Sequence, residues 1–168
     1  MNRRDREITD VNEIKAILGK AKFLHLGLAD GNMPYVVPMN YGYVMDVTKL
    51  TLYMHSSRKG YKLDILRENP NCCFELECDV EPFSGGDKPC QNGMIYSSII
   101  GRGRAEIIED EEERTKAMNF IMEAQVGQTY EFTEKMLSAV TMIRIDVTDY
   151  TAKRRPHPLE RHAKDDRQ

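Results

Sequence analysis

Residues 23–55, FLHLGLADGNMPYVVPMNYGYVMDVTKLTLYMH, decide the fold. The first part, FLHLGLAD (23–30), alternates apolar with small or polar residues, the period of a strand with one buried face. Asp30-Gly31-Asn32 then offers a tight turn. PYVVPMNYGYV (34–44) is rich in aromatic and β-branched residues and predicts a second strand. Pro38 within it cannot donate a ladder hydrogen bond, so that position belongs at a sheet edge, at a bulge or against a ligand. A short polar turn around Asp46 leads into a third strand, KLTLYMH (49–55).

Upstream, Asp10 stands three residues before Glu13 in a capping-box-like start. Val11, Ile14, Ile17 and Leu18 follow at helical spacing, and Gly19 can close this short amphipathic helix. Downstream, residues 57–69 switch to helical period with Leu63, Ile65 and Leu66, and Asn69-Pro70 ends the run. Residues 71–80 return to strand. Residues 81–93 hold two prolines and three glycines and read as a loop. IYSSIIGRGRAEIIE (95–109) is a long strand with Gly101 and Gly103 as bend points. Asp110 caps an acidic first turn, and Ala117, Met118, Ile121 and Met122 share one face of the helix that follows. A helical patch covers residues 132–140. In the last strand, 142–151, Ile143, Ile145 and Val147 alternate with Arg144, Asp146 and Thr148.

About six hairpin-linked strands with peripheral helices predict a mainly β fold, an antiparallel sheet closed into a small barrel. The βαβ rhythm of a doubly wound nucleotide-binding sheet is missing. Residues 1–155 are expected to form a single domain, and the charged segment 156–168 a disordered tail.

The net charge of -3 and pI near 5.8 supply no global positive field, which argues against a nucleic-acid-binding role. No apolar run approaches the roughly 20 residues that span a bilayer, so no membrane partner is expected. The N-terminal MNRRDREITD turns polar where a signal peptide becomes apolar, and the expected location is the cytoplasm. Cys72, Cys73, Cys78 and Cys90 contain no CxxC pair. Their spacing does not favour a tetrahedral zinc site, and they read as free thiols, with no metal site assigned.

The segment that carries chemistry is HSSRKGYK (55–62). A strand ends at His55 and a helix is predicted to begin near Ser57. Helix N-termini carry partial positive charge, yet this first turn holds Arg58, Lys59 and Lys62. A bound anion such as a phosphate would neutralise the cluster, with Ser56 and Ser57 as hydroxyl donors and Gly60 allowing close backbone approach. The alternative is that Arg58 and Lys59 are merely solvated and Ser57 is an ordinary N-cap. In PYVVPMNYGY, the strand interrupted by Pro38 would leave backbone groups available to a flat heterocycle, with Asn40 and Tyr41 adding polar and stacking contacts. The other reading is an ordinary strand with aromatic core residues. Tyr96, Ser97 and Ser98 open a third, weaker segment.

In this order, PYVVPMNYGY, LYMHSSRKGYKLDILRENPNCCFEL, YSSIIGRGRAEII and IRIDVTDYTAKRR resemble the FMN-binding split-barrel superfamily. The chain is most similar there to pyridoxamine 5'-phosphate oxidase-like proteins of the nitroimidazole-resistance (Nim) type. The resemblance spans residues 3–155. It implies a six-stranded antiparallel split β-barrel and a homodimer with two flavin sites at the subunit interface. By that likeness the backbone of Val37, Pro38, Met39, Asn40 and Tyr41 lines the isoalloxazine ring. His55, Ser56, Ser57 and Lys62 hold the phosphate end or flank the flavin. Tyr96, Ser97 and Ser98 come from the neighbouring chain, and Arg154 is a further candidate. His55 lies where the family places a histidine close to flavin and substrate.

The implied function is an FMN-dependent oxidoreductase, with FAD as the alternative cofactor, that reduces a small electron-poor substrate such as a nitroaromatic. His55 would at most donate a proton. A non-catalytic flavin carrier or sensor is the second reading. A haem-binding member of the same superfamily is the third, with His25, His55, His157 or His162 as axial ligand. With no tryptophan, stacking on a flavin falls to Tyr or Phe. Only Lys153, Arg154 and Arg155 lie near the closing strand, too small a basic set for a true pyridoxamine phosphate oxidase.

Overall fold

A computed structural model of the chain describes residues 4–46, 49–86 and 88–157. Strand β1 (Glu7–Ile8) precedes α1 (Val11–Lys20), which Asp10 caps by accepting the Glu13 N–H at 2.9 Å. The helix runs through Gly19 to Lys20, and the Ala21 N–H closes it on the Ile17 carbonyl. Then come β2 (Leu24–Asp30), β3 (Met33–Met39), β4 (Tyr41–Met45), β5 (Leu50–Ser57), α2 (Tyr61–Glu68) and β6 (Asn71–Phe83). The chain ends with β7 (Gly93–Ile108), α3 (Glu111–Val126), α4 (Glu134–Leu137) and β8 (Val140–Arg155). Asp110 caps α3 as its spacing predicts, accepting the Glu113 N–H at 2.8 Å.

The strands form one antiparallel sheet in the order β3-β2-β6-β7-β8-β5-β4, with β1 on β8. There are eight strands where six are predicted. One addition is the two-residue β1. The other arises because the predicted strand 34–44 is divided at Asn40 into β3 and β4. These two lie at opposite ends of the sheet, yet one residue joins them, so the sheet must curl until its edges meet. No ladder pairs β3 with β4 among the described residues. The result is a split barrel, not the closed one that hairpin counting suggests.

Inside the curl, alternate side chains of each strand interlock: Leu24 and Leu26, Leu52 and Met54, Leu76, Ile99, Ile143 and Ile145 are fully buried. Burying each contributes roughly 1.5–3 kcal/mol relative to exposure. At Gly101 a Cβ would strike the Phe74 ring, and the β7–β8 register shifts between Arg102 and Gly103, so the predicted bend is real. Strand β6 runs past residue 80 to Phe83 through an irregularity after Cys78, where Asp79 has φ 55° and pairs with Lys20 at 3.0 Å.

A second apolar layer lies outside the barrel. Helix α3 buries Ala117, Met118 and Ile121 with Ile108, Leu137 and Met142. Its backbone at Phe120 and Ile121 comes so close to β4 that only glycine fits at position 42. Arg144 of β8 fixes this layer by pairing with Glu113 of α3, Glu106 of β7 and Asp146. Among the described residues no helix is long and apolar enough to cross a membrane. Of the expected tail, residues 158–168, including His162, lie outside the described residues.

Candidate functional site

Strand β5 delivers His55, Ser56 and Ser57 to its C-terminal end, where they pair with Met142, Thr141 and Val140 of β8. Alternation turns Ser56 inward, 5% exposed, and His55 to the opposite face. The predicted helix begins later than expected: α2 starts at Tyr61, not near Ser57. The cause is local. Ser57 Oγ donates to the Lys59 carbonyl at 2.7 Å instead of capping the helix, so Arg58 and Lys59 lie in a loop ahead of the first turn.

That arrangement sharpens the anion argument. The N-cap of α2 is Gly60, which has no side chain to satisfy the first-turn N–H groups. Lys62 sits in that turn and its Nζ donates to Ser56 Oγ at 3.2 Å. Among the described residues none of Arg58, Lys59 and Lys62 is ion-paired, while Asp64 is taken by Arg67 at 2.8 Å. Positive helix end, uncapped amides, an inward hydroxyl and three unpaired cations therefore share one place. Tyr61 secures it by donating to Asp30 at 2.6 Å, and Leu63, Ile65 and Leu66 anchor α2 in the core.

Beside it opens a cleft of about 270 Å³ lined by Arg58, Ile107, Glu109, Arg114, Ser138 and Thr141 among others. Arg114 donates to the Leu137 and Val140 carbonyls at 2.6 and 3.2 Å, which holds its guanidinium at the wall. Sequence reading does not single out Arg114, one of several charged residues of α3. The cleft falls below the ~300–1,000 Å³ of ordinary small-molecule sites.

His55 Nδ1 is buried with no hydrogen-bond partner. Leaving such an atom unsatisfied costs about 1–3 kcal/mol, which calls for a compensating role. Burial also pushes the His55 pKa down, so the imidazole is neutral at physiological pH.

The segment 37–41 enters from the adjoining strands. Tyr41 pairs with Met54 across β4–β5, one position from His55. Val37 and Pro38 pair with Leu26 and His25, and Pro38 sits on the edge strand β3, where a missing N–H is tolerated. The stacking role expected for Tyr41 is not available. Its ring is 1% exposed in the core, its hydroxyl donates to the Leu18 carbonyl at 2.7 Å, and burial raises its pKa. Even its carbonyl is engaged, accepting Gln125 Nε2 at 2.9 Å. Exposed Asn40 reaches toward the Lys22 carbonyl and Gln125 at 3.4 Å. Met39 is buried.

Tyr96, Ser97 and Ser98 lie elsewhere. They pair with Arg155, Arg154 and Lys153 at the far end of β8 from the partners of His55 and Ser56. At ~3.3 Å per residue, on the order of 40 Å of strand separates the two groups. Ser97 accepts from Arg154 Nε at 3.1 Å, and Arg154 is fixed by Glu13 at 2.7 Å, so Arg154 belongs to this second cluster. Lys153 lies over the Tyr96 ring at 5.3 Å. One chain thus presents two separate residue clusters, at the two ends of β8.

Residues 10–154 match the model of the pyridoxamine 5'-phosphate oxidase family. The chain belongs to that family. A protein from Bacteroides thetaiotaomicron named for 5-nitroimidazole antibiotic resistance is 31% identical, covering 88% of this chain and 85% of its own, with TM-score 0.74. Two more distant members of the same structural group share the fold alone. The flavocytochrome Anf3 of Azotobacter vinelandii is 18% identical over 94% of this chain and 73% of its own, TM-score 0.73. An FAD- and haem-binding protein of Mycobacterium smegmatis is 17% identical over 90% and 74%, TM-score 0.73. No curated relative matches the sequence. The match takes in the α2 turn and also Tyr96, Ser97, Ser98 and Arg154.

Proposed function

We propose that the chain binds a flavin nucleotide, FMN in the first instance and FAD as the alternative, and reduces a small electron-poor substrate such as a nitroaromatic. The observation that carries this reading is the unneutralised cationic loop and uncapped first turn of α2 beside Ser56. Those groups fit a phosphate: Lys62 supplies a charge-assisted donor, Ser56 and Ser57 hydroxyls, and the α2 amides a positive field. The names of the neighbours of like fold, a flavocytochrome and an FAD- and haem-binding protein, point to the same class of cofactor.

The two clusters at opposite ends of β8 support a homodimer, in which Tyr96, Ser97 and Ser98 of one protomer complete the site of the other. Four cysteines without a disulfide suit a reducing compartment, and we place the protein in the cytoplasm.

In the mechanism, a bound flavin supplies the electron or hydride chemistry. The chain's own residues bind and orient. Lys62, Ser56 and the α2 amides would hold the phosphate end. The backbone of 37–39, on the edge strand β3, would line a flat ring, with Tyr41 locked in the core so that this backbone cannot drift. His55, neutral, carries a ring nitrogen that can hold a hydrogen bond or a proton at the substrate. The test is turnover. Reduced protein should be reoxidised by a nitroaromatic faster than free reduced flavin is. Equal rates would leave a flavin carrier, and a haem absorption band on reconstitution would favour the haem reading.

A further inference from the structure

On the outer face of the barrel, away from the cationic loop, His25 of β2 and Glu75 of β6 are direct cross-strand partners. Glu77, two residues further along β6, projects on the same side. His25 Nδ1 lies 3.2 Å from Glu75 Oε2 and 3.9 Å from Glu77 Oε2. One donor atom from each of the three falls within 4.8 Å of the others. All three side chains are about one-third exposed, so the cluster is held by its surroundings yet open to solvent. Two carboxylates face one imidazole, and among the described residues no lysine or arginine pairs with either.

We propose that His25, Glu75 and Glu77 form a binding site for a divalent first-row transition-metal ion such as Zn²⁺. A nitrogen ligand with two carboxylates selects this class over Ca²⁺ or Mg²⁺, which prefer all-oxygen shells. The donor atoms need to draw in to the ~2.0–2.2 Å of metal–ligand bonds, a contraction that side-chain rotation on adjacent strands can supply. The ion replaces the hydrogen at His25 Nδ1, leaving the imidazole proton on Nε2. Three protein ligands leave at least one coordination position for water or an exogenous group.

The position has a structural consequence. The β2–β6 ladder has only three register pairs, the shortest along the main path of the sheet. A metal bridging the two strands staples the seam at which the edge pair β2–β3 joins the rest of the barrel. His25 also pairs with Pro38 on its other side, so the staple stiffens the strand that leads to Asn40. This inference is independent of the flavin reading.

The test is calorimetric titration of Zn²⁺ into the purified full chain after chelator treatment, with thermal unfolding in parallel. The expected result is one saturable site per chain and a higher melting temperature with Zn²⁺. His25→Ala and Glu77→Gln should each weaken binding by more than the roughly 10–100-fold typical of losing a supporting outer-shell group. Both should abolish the Zn²⁺-dependent melting shift. Glu77→Gln is isosteric and carries the test if His25→Ala does not fold. A Cys90→Ser/His157→Ala double variant should bind as the parent does. Absence of binding at millimolar Zn²⁺, or undiminished binding in Glu77→Gln, overturns the proposal.

Discussion

Replacing Lys62 with alanine separates a phosphate site from a merely basic loop. Lys62 Nζ already donates to Ser56 Oγ at 3.2 Å, so the ammonium is positioned at the mouth of α2 before any ligand arrives. A charge-assisted hydrogen bond to phosphate contributes about 1.5–3 kcal/mol. With about 1.4 kcal/mol per decade, Lys62→Ala should weaken FMN binding by roughly 10- to 150-fold. Riboflavin lacks the phosphate, and its affinity should stay within about twofold. The loss should also shrink as salt rises, because the removed contact is electrostatic. The assay is a titration of flavin fluorescence with FMN and riboflavin in turn. Equal loss for both ligands, or none for FMN, would refute the phosphate role of this turn.

Three other predictions test the remaining parts. His55 has its pKa lowered by burial from the ordinary 6.5, so below about pH 6.5 the unfolded chain takes up a proton that the folded chain does not. Stability should therefore fall as pH drops through that window, and urea unfolding of flavin-free His55→Leu should show a flatter pH dependence together with lost turnover. Gly42→Ala forces a methyl into the α3 backbone at Phe120, which should cost about 1–3 kcal/mol and lower the melting temperature by roughly 2–12 °C in calorimetry. Mixing His55→Leu chains with Tyr96→Ala chains, each inactive alone, should restore about one site in four if the site is shared between protomers. No recovery would place the whole site in one chain.

Much of the fold is legible because local chemistry and tertiary need agree. Asp10 and Asp110 cap the helices they precede, and Gly101 and Gly103 bend the strand in which they occur. The division at Asn40 is not legible. PYVVPMNYGYV has one continuous β-forming pattern, and only the competition of β2 and β5 for its two halves breaks it. Likewise the end of β6 looks like loop because Pro82 discourages a strand, but the bulge after Cys78 lets pairing with β7 resume. At the site, the HSSRKGYK segment announces its charge anomaly, while the helix start shifts because Ser57 prefers the Lys59 carbonyl. Tyr41 shows the limit of residue type as a guide: an aromatic beside a ligand segment is a core lock. His25, Glu75 and Glu77 are brought together by strand register across some fifty positions, which no spacing rule reveals.

The central claim is flavin binding, and the most direct measurement is the absorption spectrum of the purified protein with the released cofactor identified by mass. Bands near ~370 and ~450 nm with FMN or FAD released are the predicted result. A colourless protein that takes up neither added FMN nor added FAD would contradict it.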